Sequence, residues 1–376
     1  MYPPPQAQAR QASALSLVDG YSFVRQQSSK PASISCVCFQ SDEMFVGLCG
    51  GICSGKRTVA QYLIDHHGFT RLRLQHSANE PLTDDKHTFR TIDDLVNFVT
   101  TQWQRRWVTT DVYCEAVLDI LVRRPFFILI SVDAPVNVRW KRFQRRLTSP
   151  TSSPQSDEDL SLEDFVLRSD DHLFNPNGGL LPLISRATIR LLNTSSDLAH
   201  LYATLGKLDL TNEDRLRPSW DQYFMQLASL AAQRSNCMKR RVGCVLVREK
   251  RVISTGYNGT PRGLKNCGEG GCPRCNDAQG SGVGLSTCLC IHAEENALLE
   301  AGRERIREGA ILYCDTCPCL TCSIKIAQVG ISEVVYSQGY SMDGETAAVF
   351  REAGVQLRQF SPPPNGLVHL EKQAIA

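Results

Sequence analysis

The chain has 376 residues, with 41 Lys and Arg against 39 Asp and Glu, a net charge of +2. That length suggests two domains and a linker, and that charge balance excludes a strongly basic polymer-binding surface. No apolar run reaches membrane-spanning length, and the proline- and glutamine-rich start, Met1–Arg10, lacks an apolar signal core. A soluble protein of a reducing compartment, cytoplasmic or nuclear, is therefore expected, with its 16 cysteines serving as metal ligands or free thiols rather than disulfides. Eleven of them lie between Cys237 and Cys322, a clustering that favours metal.

Residues 1–43 are rich in Gln, Ser and Pro and are expected to be largely disordered, with 33–39 a short strand candidate. Residues 44–207 form the first expected domain. Its apolar run Met44–Cys49 enters a glycine loop, Gly50-Gly51-Ile52-Cys53-Ser54-Gly55-Lys56-Arg57, and a helix is expected over 58–66. A strand, a glycine loop and then a helix form the context of a phosphate-binding P-loop, with Gly50, Gly55 and Lys56 around the phosphates. Arg57 stands where a Ser or Thr would hold magnesium, so the loop is degenerate. Residues 44–205 resemble a P-loop nucleotide kinase of the dephospho-CoA kinase kind, which implies an NTPase-type α/β domain. Three roles stay open for it: nucleotide binding without catalysis, a working kinase, or assembly alone. A second buried strand is expected at 126–132, and 148–160 is a polar insertion.

Residues 208–217 are expected to link to a second domain, 218–361, followed by a tail, 362–376. The second domain has helical periodicity over 220–234 and a hairpin at 242–248 and 251–257. Further helices are expected at 292–305, from Pro318, and at 346–353, with strands at 310–314, 332–336 and 355–360. This alternation implies an α/β fold, a three-layer α/β/α sandwich. Residues 259–290 interrupt it with cysteines in place of apolar periodicity.

His292-Ala293-Glu294 followed by Pro318-Cys319-Leu320-Thr321-Cys322 carries the chemistry. His292, Cys319 and Cys322 supply three zinc ligands and leave a fourth position for water, as in catalytic zinc. Zinc lowers the pKa of such a water from near 16 to roughly 7, and one carboxylate, Glu294, can shuttle the protons. The arrangement is the zinc-deaminase signature, H-x-E and then P-C-x-x-C. Taken singly, His292 would be a core histidine and the cysteines a structural knuckle.

Together with Gly256-Tyr257-Asn258-Gly259-Thr260-Pro261-Arg262-Gly263, these motifs make residues 217–360 resemble the deoxycytidylate deaminases of the cytidine deaminase superfamily, of the fungal type with an extra N-terminal region. The resemblance implies hydrolysis of dCMP to dUMP and ammonia for thymidylate synthesis. It implies Asn258 on the deoxyribose or base and the Ala293 N–H on the cytosine carbonyl, although Asn-Gly is also a turn signal. Tyr340 could stack on the base or only pack. Lys239, Arg240, Arg241 and Arg262 are candidates for the phosphate or for a solvated charge run. The resemblance further implies possible dCTP and dTTP effectors and a homo-oligomer.

Cys267, Cys272 and Cys275, with Cys288 and Cys290, suggest a structural zinc in place of a missing core. Resemblance to phage members points to Cys237, Cys267 and Cys290, with Cys275 or Cys272 between them. The favoured set is Cys237, Cys267, Cys275 and Cys290, so two zinc ions are expected, one catalytic and one structural. Two rival functions remain at this stage. One is deamination of a base within RNA or single-stranded DNA, which 19 Lys and Arg against 15 Asp and Glu over residues 215–376 disfavour. The other is a non-enzymatic nucleotide sensor, which Glu294 disfavours.

Overall fold

A run of six apolar or small residues, Met44–Cys49, is buried at every position and forms β1, a strand covered on both faces. The computed structural model describes residues 43–75, 87–147, 161–195, 197–280, 283–339, 343–361 and 366–370. The expected disordered segment, its strand candidate at 33–39, the insertion at 148–160 and Tyr340 lie outside the described residues.

After β1 come α1 (Lys56–His67), β2 (Thr70–Leu74), β3 (Thr88–Phe89), α2 (Ile92–Thr101), β4 (Arg106–Thr109) and α3 (Glu115–Leu121). There follow β5 (Phe127–Asp133), α4 (Val136–Leu147), α5 (Leu162–Phe174), α6 (Leu181–Arg186), β6 (Ile189–Leu192) and α7 (Leu198–Leu208). The strands pair in parallel in the order β3-β2-β4-β1-β5-β6. One apolar core lies on each face, Val46, Leu48 and Leu63 in one and Phe45, Trp107 and Leu118 in the other. β1 runs into the glycine loop at the sheet's centre. Gly50, at φ 154°, has no room for a Cβ, which would stand 2.0 Å from the carbonyl oxygen of Val132. Gly55 caps α1 in the left-handed conformation, and the Lys56 Nζ donates to the Gly50 carbonyl at 3.1 Å. Arg142 braces the loop from α4, donating to the carbonyls of Ser54 at 3.0 Å and Ser195 at 2.7 Å.

The segment expected to link the halves is packed. Leu210 is buried in the first core, and Leu216 packs against it. The second half has α8 (Trp220–Ala232), the antiparallel pair β7 (Gly243–Arg248) and β8 (Arg251–Tyr257), the short α9 (Pro273–Asn276) and α10 (Ala293–Ala301). It continues with β9 (Ile311–Thr316), α11 (Leu320–Gln328), β10 (Glu333–Gln338), α12 (Asp343–Glu352) and β11 (Gln356–Gln359). The sheet order is β11-β10-β9-β7-β8, parallel from β9 to β11. Phe224, Met225 and Ala228 of α8 cover one face. Ala297 of α10, Ile326 of α11 and Phe350 of α12 cover the other, giving the expected three layers. At Gly243 a Cβ would lie 1.9 Å from the Ala228 carbonyl oxygen, so α8 rests directly on β7.

The end of the chain differs from the tail expected at 362–376. Gly366–His369 is a strand, β12, paired in parallel with β6 of the first sheet. Val368 and Leu370 pack into the first core, and β12 covers what would otherwise be an open edge. The sequence concealed it because the strand is four residues long and follows Pro362-Pro363-Pro364.

Candidate active site and metal centre

Two helix N-termini present the catalytic motif. Gly259 and Ile291 form an antiparallel bridge, donating to each other's carbonyls at 3.2 and 3.0 Å, and so pin the chain one residue before His292. His292 is the N-cap of α10, in extended conformation, and its side chain makes no capping bond. Cys319 holds the same place on α11, also extended and with its side chain free of capping. Both side chains are thus turned to each other instead of to their own helices. The Cys319 and Cys322 Sγ atoms each lie 3.3 Å from His292 Nδ1. All three ligand atoms fall within 4.8 Å of one another. Two thiolates and an imidazole are a zinc donor set. A hydrogen bond from Cys322 holds the Cys319 thiol well below the usual thiol range, with His292 and Thr321 adding to it.

Glu294 sits in the first turn of α10 and is 4% exposed. Burial pushes its carboxyl up to about 7, a value suited to both accepting and releasing a proton near neutrality. Ala293, fully buried, opens α10, where a backbone N–H has no partner within the helix. Two contacts fix α10 among its neighbours. Asn296 Nδ2 donates to the Tyr257 carbonyl at 2.9 Å, and Glu295 pairs with Lys325 of α11 at 2.8 Å.

Asn258 is buried at the end of β8, and the protein itself uses most of its amide. The Oδ1 accepts from Val242 N–H at 2.8 Å and from Ser235 Oγ at 2.7 Å, while Nδ2 donates to the Arg240 carbonyl at 2.7 Å. The second Nδ2 hydrogen has no partner among the described residues. Among the phosphate candidates, Lys239 is engaged by the Gln279 and Gly280 carbonyls, both at 2.7 Å, and Arg240 by Gln338 Oε1 at 3.3 Å.

Sequence reasoning passed over two polar groups beside the site. Asp315, at the end of β9, accepts from Gly243 N–H at 3.1 Å through Oδ2. Its Oδ1 is buried with no hydrogen-bond partner among the described residues, and burial raises its pKa. An acidic residue inside the otherwise apolar run Ile311–Thr316 is the signal that could have marked it. Thr260, in the Asn258 loop, likewise has a buried, unpartnered Oγ1.

The cysteine loop brings the four expected structural ligands together: the sulfurs of Cys237, Cys267, Cys275 and Cys290 lie within 4.8 Å of one another. The sulfurs of Cys272, Cys275, Cys288 and Cys290 also lie within 4.8 Å of one another. A pocket lined by Cys288, Cys290, His292, Glu295 and Thr321 lies between this loop and the His292 site.

Comparison with known proteins gives these features their setting. The family described as the cytidine and deoxycytidylate deaminase zinc-binding region matches residues 218–338. A deoxycytidylate deaminase of Schizosaccharomyces pombe is 50% identical over 329 residues, covering 86% of this chain and 99% of that protein. One from Saccharomyces cerevisiae is 45% identical over 329 residues, covering 85% and 97%. A deoxycytidylate deaminase of a Mycobacterium phage is 46% identical over 125 residues, only 32% of this chain but 95% of that protein. With half of the aligned residues identical across almost the whole of a fungal relative, the chain belongs to the deoxycytidylate deaminase family.

Proposed function

We propose that the chain catalyses the zinc-dependent hydrolytic deamination of dCMP to dUMP and ammonia, with His292, Cys319 and Cys322 as zinc ligands and Glu294 as the proton carrier. The observation that carries this reading is a buried carboxyl in the first turn of the helix that His292 caps, in a chain 50% identical to a deoxycytidylate deaminase. Zinc held there supplies Lewis-acid activation of the attacking water. Glu294 would take a proton from the water as its oxygen adds to C4 of cytosine and give it to N3; it would then take the proton of the new C4 hydroxyl and give it to the amine, so that the C–N bond breaks as the C4 carbonyl forms and ammonia leaves. Burial keeps solvent from competing for the carboxyl. The Ala293 N–H donates to the cytosine carbonyl, and the second Nδ2 hydrogen of Asn258 donates to the deoxyribose. The mild charge of this half suits a free nucleotide better than a polymer. Cys237, Cys267, Cys275 and Cys290 hold structural zinc, which suits a reducing, cytoplasmic setting.

Residues 44–207 are a P-loop domain that has lost phosphoryl transfer. The placement of Gly55 and Lys56 after a central parallel strand supports the first part, and the exposed Arg57 in the magnesium-ligand position supports the second. Transfer from ATP to a nucleoside monophosphate, abolished by Lys56→Ala, would overturn it.

Side-by-side turnover of dCMP, CMP, deoxycytidine and a deoxycytidine oligonucleotide tests the main reading, with and without dCTP and dTTP. Preference for dCMP is the expected result, and preference for the oligonucleotide would refute it. Sedimentation of the same samples reports the expected homo-oligomer.

A further inference from the structure

The two four-sulfur sets in the cysteine loop overlap. Cys275 and Cys290 belong to both, Cys237 and Cys267 to one only, and Cys272 and Cys288 to the other only. We propose that the loop holds two metal ions, not one, in a binuclear zinc–thiolate cluster in which Cys275 and Cys290 bridge the metals. This rests on the reading of the loop as a structural zinc site and changes its stoichiometry from one ion to two.

The sulfur geometry supports the sharing. At a Zn–S distance of about 2.3 Å, the edge of a ZnS4 tetrahedron is about 3.8 Å. Cys237 and Cys275 lie 3.7 Å apart, Cys272 and Cys288 3.9 Å, Cys275 and Cys288 3.9 Å, and Cys275 and Cys290 4.0 Å. The last of these is the edge the two tetrahedra share. Six sulfurs around two tetrahedra leave two outer ligands on each metal, which is the division found here.

The hydrogen bonds to sulfur follow the same division. Thiolates bound to one metal keep more charge and draw N–H donors. Cys267 accepts from Met238 N–H at 3.4 Å, Cys272 from Leu289 N–H at 3.4 Å, and Cys288 from Arg274 Nη1 at 3.6 Å. These are three of the four outer sulfurs. Two zinc ions with six thiolates carry a net charge of −2, and Arg274, only 6% exposed, sets its guanidinium against Cys288. Its Nε is anchored on the Val283 carbonyl at 2.7 Å.

The loop also needs both metals for its own stability. The buried cluster in this segment consists of cysteines alone, with no aliphatic or aromatic member. A single ion on the first set would leave Cys272, at the start of α9, and Cys288 untied, and these residues close the loop on itself. Cys290 then connects the cluster to the catalytic site, since only Ile291, bridged to Gly259, separates it from His292.

The test uses the full chain. Zinc is counted by mass spectrometry on the purified wild type and on His292→Ala, and zinc-edge X-ray absorption is recorded on both. Three zinc ions per wild-type chain, two in His292→Ala, and a Zn–Zn scattering vector in each are expected. Two ions in the wild type without that vector would overturn the cluster. Should His292→Ala lose no zinc, the catalytic assignment fails while the Zn–Zn vector still reports on the loop. The double variant Cys272→Ser/Cys288→Ser is expected to lose the vector and at least one ion, and its retention of three ions would equally refute the bridge. If that variant does not fold, the wild-type and His292→Ala measurements decide alone.

Discussion

Gly256 and Ala293 pack backbone against backbone. A Cβ on Gly256 would stand 2.0 Å from the Ala293 carbonyl oxygen and 2.5 Å from the Ala297 nitrogen. Ala293 lies between His292 and Glu294, so the depth at which α10 rests on β8 sets the position of both. Gly256→Ala is expected to lower stability by about 1–3 kcal/mol through overpacking. It should cut dCMP turnover more than tenfold, since a shift of about 1 Å at a reacting group costs on the order of 10²-fold. Gly344→Ala, in α12 with open space around it, serves as the control and should lower neither. Urea unfolding and turnover on both variants check this.

Glu294→Gln keeps the shape of the side chain and removes its proton chemistry. Zinc content is expected to match the wild type, because Glu294 is not among the metal-ligand residues. Turnover should fall by about 10²–10⁴-fold, the usual share of a general acid–base. Undiminished turnover in a zinc-loaded variant would remove Glu294 from the mechanism.

A charge network ties α8 to the far edge of the second sheet and gives a pH-dependent contribution to stability. Arg358 of β11 grips Asp221 through Nη1 at 2.6 Å and Nη2 at 3.1 Å, and its Nε meets Glu333 at 2.8 Å. The Tyr313 hydroxyl donates to the same Asp221 at 2.8 Å. Burial alone would raise the Asp221 pKa, but hydrogen bonds from Arg358 and Tyr313 outweigh it and hold the carboxyl below its ordinary 3.8. A folded value below the unfolded one stabilises the fold above pH 3.8, and this stabilisation is lost as pH falls through the folded value. Asp221→Asn should therefore cost about 1–2 kcal/mol at neutral pH, discounted for partial exposure. The difference from wild type in urea unfolding should narrow as the pH falls below 3.8 and through the folded value. A gap independent of pH would show that the pair's charge is not what stabilises it.

Truncation after Ser361 removes β12 and with it Leu370, only 3% exposed. Burial of a Leu or Val side chain contributes about 1.5–3 kcal/mol, so the truncated chain should lose at least that much stability. The loss should localise to the first sheet, and hydrogen exchange should quicken at the amides of β6, Ile189–Leu192. Unchanged exchange there would mean that β12 contributes nothing to the sheet.

Much of the architecture was legible without coordinates, because helices and strands are written in short-range periods. The fully apolar run at β1, the apolar run of β7 followed at once by β8 and the apolar spacing of α10 each announce an element from neighbouring residues alone. The metal-binding residue types were equally visible: an imidazole and two thiolates suit zinc whatever fold carries them. The fold adds that His292 and Cys319 both occupy N-caps, so that two separate helices deliver their side chains to one point.

By itself the sequence determined the kinds of element, the donor atoms and the carboxylate at the centre of the chemistry, since these depend on residue type and on spacings of a few positions. The tertiary structure alone decided what depends on contacts distant in sequence. It placed β12 beside β6, across a separation no local period records, and turned most of the Asn258 amide toward Val242, Ser235 and Arg240. It also gathered six cysteines into two interlocking sets where spacing had suggested one. A cysteine side chain is short and can pair with many others along a flexible loop, so which sulfurs meet is settled by packing and not by their order in the chain.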